Sequence, residues 1–258
     1  MSSTSVHTDI ADRVLTITID RPEVRNAVDG PTAEALHEAF QQLDGNDDVD
    51  VGILTGANDT FCAGADLKSV AGGAGPRVHD DMSLPGPLGP TRMMTSKPLI
   101  AAVEGYAVAG GLELALLCDL RVAATNAVFG VFCRRWGVPL VDGGTIRLPR
   151  LIGHSHAMDL ILTGRGVSGE EARMMGIANR ICEPGSALTE AQTLARQLTG
   201  FPQGCMRSDR ESAYSQWDLG LDAALENETQ LGLNVIRSGE TLDGASRFAK
   251  GEGRHGAF

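Results

Sequence analysis

Aromatic side chains make up only 4% of the sequence, too few for the stacking platforms that hold single-stranded nucleic acid. Positive charge is also short. Twenty-two Lys and Arg stand against 33 Asp and Glu, a formal charge of −11, and a field of that sign repels nucleic acid and other polyanions. One phosphorylated small molecule stays compatible, because a few local Arg or Lys residues suffice to hold it. No CxxC pair occurs among Cys62, Cys118, Cys133, Cys182 and Cys205, and their number is odd. They read as reduced thiols in a cytoplasmic protein. Long apolar runs are missing too. The most apolar stretch, residues 99–124, contains Glu104, Glu113, Asp119 and Arg121, so it reads as buried core and no membrane span is expected. The opening MSSTSVHTDIADR has no apolar segment of the kind a secretory leader carries, and none is expected there.

What is present is an ordinary globular composition, 42% hydrophobic and 21% charged over 258 residues, long enough to bury a substantial core. The 32 glycines cluster near residues 72–75, 105–111 and 143–144, where backbone is expected to turn sharply or approach a ligand. Val14-Leu15-Thr16-Ile17-Thr18-Ile19, Val51-Gly52-Ile53-Leu54-Thr55, residues 98–103 and residues 120–124 read as strands. Pro31 opens a helix with Leu36, Phe40 and Leu43 on its apolar face. Alternating strands and helices predict an α/β fold around a mostly parallel sheet. Ser168-Gly169-Glu170-Glu171 fits a capping box, and a long helix is expected from Leu221 to about Ile236. No repeat or sharp linker appears. The expected organisation is an α/β core over residues 1–195 followed by a helical C-terminal region over residues 196–258. Residues 71–98, rich in Gly and Pro, form an unusually long connection, which points to a functional segment.

Two segments carry chemistry. In Phe61-Cys62-Ala63-Gly64-Ala65-Asp66-Leu67-Lys68, small residues follow a strand and precede a short helix. Unhindered amides there can donate to an anion or a polarised carbonyl; alternatively this is a tight turn with Asp66 as helix cap. In Gly105-Tyr106-Ala107-Val108-Ala109-Gly110-Gly111-Leu112-Glu113-Leu114-Ala115-Leu116-Leu117-Cys118-Asp119, Glu113 has no polar face available. A buried carboxyl responds with a raised pKa or a dedicated partner, which suits acid–base catalysis or a structural cap. Together the two turns can supply one N–H each to a single oxyanion.

These two runs resemble the signature segments of the enoyl-CoA hydratase/isomerase (crotonase) family. The resemblance continues through Ile19-Asp20-Arg21-Pro22-Glu23-Val24-Arg25-Asn26-Ala27, Gly143-Gly144-Thr145-Ile146-Arg147-Leu148, Leu162-Thr163-Gly164 and residues 172–176, and spans residues 14–250. It implies a crotonase-like ββα superhelix core with a helical C-terminal trimerisation region, and a homotrimer or dimer of trimers. It also implies an acyl-CoA thioester substrate, with coenzyme A part of that substrate and no separate cofactor or metal. By position, Ala65 and Gly110 carry the oxyanion-hole amides and Glu113 is the catalytic carboxylate. Arg25 and Lys68 match positions near the CoA phosphates or adenosine, Ala63 and Asp66 border the adenine, and Phe248 and Lys250 complete that pocket.

The family's second glutamate is matched by Cys133, and a thiol with a reference pKa near 8.5 is no simple replacement for a carboxylate. Asp142 is the candidate substitute, approaching the acyl chain opposite Glu113; the alternative is an N-cap of the following helix. Arg134 or Arg135 can neutralise one of these carboxylates, and Trp136 packs in the core or along the acyl pocket. His154-Ser155-His156 has no ligand partner at metal spacing and reads as a helix start. Gly72-Gly73-Ala74-Gly75 lacks the Lys-Ser/Thr of a phosphate loop. The favoured activity is 2-enoyl-CoA hydration, with a CoA-thioester isomerase and a non-catalytic acyl-CoA-binding protein as alternatives.

Overall fold

The computed structural model describes residues 5–253, which form two compact units meeting in sequence at Arg196 and Gln197. The first begins with a hairpin, β1 (Val6–Ala11) and β2 (Val14–Ile19). Asp12 and Arg13 between them both have positive φ, the geometry whose twist suits a two-residue hairpin turn. β1 was not legible as a strand, because it is exposed along nearly its whole length and shows no apolar alternation.

Helix α1 (Gly30–Gly45) is capped by Asp29, which accepts from Thr32 N, and has Pro31 in its first turn. Its Leu36, Phe40 and Leu43 are fully buried alongside Leu15, Ile17 and Ile19 of β2, each such side chain contributing about 1.5–3 kcal/mol. Then come β3 (Val51–Gly56), the short α2 (Leu67–Ala71), β4 (Leu99–Val103), β5 (Tyr106–Val108), α3 (Gly110–Leu117), β6 (Leu120–Ala124) and β7 (Val128–Gly130). After α4 (Gly144–Ile152), α5 (His154–Thr163), β8 (Gly166–Ser168), α6 (Gly169–Met175) and β9 (Arg180–Cys182), α7 (Ala187–Thr199) reaches the second unit.

The main sheet has the order β1-β2-β3-β4-β6-β9, parallel except for β1. β4 is buried at every position and β3 at all but its last, as expected for parallel strands covered on both faces. A second sheet, β5-β7-β8, has no signature in the sequence, because its strands have three residues each, too short to show a period. Arg121, which interrupts the apolar stretch, is buried with its guanidinium donating to Cys118 O, Ile177 O and Asn179 Oδ1. Among the described residues no helix is long and apolar enough to cross a membrane.

Ser168 caps α6 by accepting from Glu171 N at 3.1 Å. Asp142 does not cap α4: the cap position belongs to Gly143, at φ 94°, without a side-chain bond. Residues 71–98 hold little regular structure beyond a 3-10 turn at Pro90–Arg92, yet Leu88 and Thr91 are buried.

The second unit contains α8 (Gln203–Ser215), α9 (Leu221–Ser238) and α10 (Glu240–Lys250). The Glu240 carboxylate accepts from Gly204 N at 3.1 Å and Cys205 N at 2.6 Å, so the first residue of α10 satisfies the open amides at the start of α8.

Candidate active site

The two glycine-rich turns are stitched together at Cys62, whose N–H donates to Tyr106 O at 2.8 Å and whose carbonyl accepts from Val108 N at 3.1 Å. The approach is close enough to dictate residue type. A Cβ on Gly111 would lie 2.0 Å from Cys62 O, and one on Gly64, already at φ 94°, would lie 2.8 Å from Gly110 N. Ala109, the residue before α3, adopts φ 55° and ψ −125°, a conformation that costs about 1–3 kcal/mol for a residue with a Cβ. Strain of this kind persists only where the surroundings impose it, and here it sits next to the Gly110 amide. Among the described residues, neither the Ala65 nor the Gly110 N–H donates to a protein acceptor. Their neighbours are engaged: Gly64 N with Cys62 Sγ, Asp66 N with Val28 O and Ala109 N with Gly130 O.

Ala65 and Gly110 both line a cleft of about 370 Å³ whose walls also include Glu113, Cys133 and Asp142. Glu113 projects from the first turn of α3 and is 2% exposed. Its Oε1 accepts from Asp142 N at 2.9 Å and Gly144 N at 2.7 Å, while Oε2 meets no protein donor among the described residues. Gly144 must be small, because its Cβ would fall 2.9 Å from Glu113 Oε1. Burial, and then the charge of Asp142, pushes the Glu113 carboxyl up to about 7, against the opposing pull of the two amides and Arg147. A carboxyl poised there exchanges a proton readily at neutral pH.

Asp142 comes from the loop before α4, and its Oδ1 accepts from Leu88 N at 3.0 Å and from the Thr91 hydroxyl. Burial raises its pKa, opposed by Thr91, Leu88 and two arginines. The cap alternative is therefore replaced by a second buried carboxyl beside Glu113, tied to the 71–98 connection. Cys133 lies in the 3-10 turn Phe132–Trp136 and also faces the cleft. Burial, then the nearby Glu113, raises its thiol pKa, which keeps it protonated and unfit as a base.

The remaining candidates separate. Arg25 and Ala63 line the cleft, and Arg25 stands over the Tyr106 ring at 5.6 Å. Asp66 is 6% exposed; it caps α2 through Lys68 N and Ser69 N and pairs with Arg21 at 3.2 Å. Lys68 is exposed on α2. Phe248 and Lys250 are exposed on α10, in the second unit. Arg134 and Arg135 do not neutralise the carboxyls: they donate to Ile161 O and Gly164 O, and Arg135 stacks on Phe132. Trp136 lines the cleft and is 73% exposed, so it is no core residue. His154 and His156 open α5, and among the described residues no cluster suited to a metal occurs. Leu88, Thr91 and Arg147 were missed as site residues. The first two lie where the sequence has no periodicity, and Arg147 falls in a recognised run that gave it no role.

The family model of enoyl-CoA hydratase/isomerase matches residues 9–255. An enoyl-CoA hydratase, EchA19, of Mycobacterium tuberculosis is 35% identical over 247 residues, covering 92% of this chain and 90% of the relative. A carnitinyl-CoA dehydratase of Salmonella arizonae is 35% identical over 243 residues, 92% of each chain. The crystal structure of enoyl-CoA hydratase EchA1 from Mycobacterium marinum superposes with a TM-score of 0.90 at 38% identity, covering 96% of both chains.

Proposed function

This chain belongs to the enoyl-CoA hydratase/isomerase family and has its crotonase fold, and on that footing we propose that it adds water reversibly to a 2-enoyl-CoA thioester. The observation that carries this reading is the Glu113 carboxyl, one oxygen pinned by two amides and the other open to a cleft that also contains the undonated Ala65 and Gly110 N–H groups.

The thioester oxygen lies between those two amides and gains charge as water adds. Fixed dipoles stabilise that enolate without reorganising, which lowers the barrier selectively. Glu113 Oε2 takes a proton from water while the water oxygen bonds to the β-carbon. Ionised Asp142 orients that water through its second hydrogen, and Glu113 then gives the proton it has taken to the α-carbon, which returns it to the carboxylate. The charge of Asp142 helps lift Glu113 to about 7, which supports Glu113 as the carboxyl that takes and returns the proton and Asp142 as its ionised partner.

Arg25 and Lys68 serve the CoA phosphates or adenosine, Ala63 and Asp66 border the adenine, and the family resemblance extends the same ligand role to Phe248 and Lys250. Coenzyme A enters as part of the substrate, with no separate cofactor. Phe132, Trp136, Val138 and Val141 in the cleft wall support an uncharged acyl tail. Exposed Leu221, Leu225, Ile236 and Leu242 on α9 and α10 support assembly as a homotrimer or dimer of trimers. Five cysteines free of disulfides support a cytoplasmic setting. An isomerase using Glu113 alone is the second reading, favoured by the tethering of Asp142 Oδ1.

The test is to follow loss of the conjugated-thioester absorbance of crotonyl-CoA and longer 2-enoyl-CoAs. Hydration by the wild type that is abolished in Glu113→Gln supports the proposal. Double-bond migration without hydration moves the assignment to isomerase, and tight binding with no turnover to a binding protein.

A further inference from the structure

Two carboxyl groups of like charge share the cleft although they sit on different segments, Glu113 on α3 and Asp142 on the loop before α4. One side chain spans their supports. Arg147, on α4, donates from Nη1 to Asp142 O at 2.8 Å and from Nη2 to Thr91 O at 2.9 Å. Thr91 gives its hydroxyl hydrogen to Asp142 Oδ1, and the Asp142 amide donates to Glu113 Oε1. The chain of contacts thus runs from one guanidinium through the Thr91 turn and the Asp142 loop to Glu113. A planar fork with fixed donor directions suits two carbonyls on separate segments, whereas a lysine ammonium offers a single freely rotating nitrogen in place of two fixed ones. Gly143 makes room for it: at φ 94°, its Cβ would sit 2.2 Å from Arg147 Nη1.

We propose that Arg147 is a positioning residue for the reaction, clamping the Asp142 loop to the Thr91 turn so that Asp142 and Glu113 meet the thioester in register. This rests on the hydratase reading of the same site. The charge of Arg147 acts on both carboxyls in the same sense, favouring their ionised forms. The other groups facing the pair are Arg92, which acts on Asp142, and the thiols of Cys133 and Cys62, both raised by burial.

The experiment is a pH–rate profile of hydration for wild type, Arg147→Met and Arg147→Lys, with kcat and KM separated. Arg147→Met is expected to lower kcat about tenfold or more with KM little changed, since misplacing a reacting group by about 1 Å is enough for such a loss. Its acid limb, set by Glu113, is expected to move up by about one pH unit, because a nearby positive charge no longer favours the carboxylate. Arg147→Lys keeps the charge and should restore the limb while recovering only part of kcat.

A folded Arg147→Met with wild-type kcat and limb overturns the proposal, as does a kcat loss in both variants with no movement of the limb in either. If Arg147→Met does not fold, an undiminished kcat in Arg147→Lys overturns it. Wild-type protein that hydrates no enoyl-CoA fails the hydratase reading instead. In that case the pH-dependent stability difference between wild type and Glu113→Gln, measured again with Arg147→Met added to both, still reads the coupling. It is expected to widen, and an unchanged difference overturns the proposal.

Discussion

Replacing Glu113 with Gln should abolish hydration and, above neutral pH, stabilise the fold. The carboxyl is lifted from its ordinary 4.5 to about 7. Between those values the unfolded chain has released the proton and the folded chain still holds it. Stability therefore falls as pH rises through this window, and the full penalty stands above pH 7. At about 1.36 kcal/mol per pKa unit, the ionised group costs the folded state about 3 kcal/mol. Glutamine keeps the oxygen that accepts from Asp142 N and Gly144 N, and its amide nitrogen faces the cleft where Oε2 stood. The variant loses the penalty without leaving those two amides bare. Below pH 5 the two proteins should differ by less than about 1 kcal/mol. At pH 8.5 the variant should melt about 6–12 °C higher, at about 2–4 °C per kcal/mol for a chain of this size. Thermal unfolding by circular dichroism across pH 4.5–9, with the oligomeric state checked at each pH, measures this. A difference in melting temperature that does not change with pH would refute the reasoning, because it would mean that Glu113 does not ionise late in the folded protein.

Asp142→Asn preserves an oxygen for Leu88 N and Thr91, so it should fold and lose about 10²-fold or more in hydration kcat. With the Asp142 charge gone, the acid limb of the remaining rate should shift to lower pH; an unchanged kcat would make Asp142 a tether only. Gly64→Ala puts a Cβ 2.8 Å from Gly110 N at a φ of 94°. It should cost about 1–3 kcal/mol of stability and most of the turnover, readable by melting and by crotonyl-CoA hydration; normal kcat there would argue against the paired-amide site. Cys133→Ala should leave the shape of the pH–rate profile unchanged, because a buried protonated thiol supplies no base, and loss of either limb would restore Cys133 to the mechanism.

The legible parts of this protein were those with a local signature. β2 and α1 announce themselves by apolar spacing, and both have fully buried faces. Glu113 stood out because an acid amid Leu112, Leu114 and Leu116 has no solvent face to take. What stayed hidden depends on contacts distant in sequence. The cap reading of Asp142 was reasonable locally, since the residue stands two places before α4. It failed because Leu88 and Thr91, more than fifty residues away, claim its carboxylate. The strands of the second sheet are set by pairing partners and not by their own three-residue composition. Arg147 has an ordinary place on a half-buried helix; its importance lies in two carbonyls that no local pattern places beside it.

Costly features converge on this one cleft. Ala109 holds a backbone conformation worth about 1–3 kcal/mol of strain, Glu113 carries a burial penalty of about 3 kcal/mol when ionised, and Asp142 is buried beside it with like charge. None of these stabilises the fold, and a sequence under selection for stability alone would relieve each with a single substitution. On the proposed hydratase reading they belong together: Ala109 precedes the Gly110 amide, Glu113 keeps a proton exchangeable near pH 7, and Asp142 supplies a second carboxyl where Cys133 cannot. The fully buried sheet strands and α1 provide the rigidity that holds all three. Destabilising residues gathered at one site, on a scaffold stable enough to tolerate them, are what preorganised electrostatic catalysis requires.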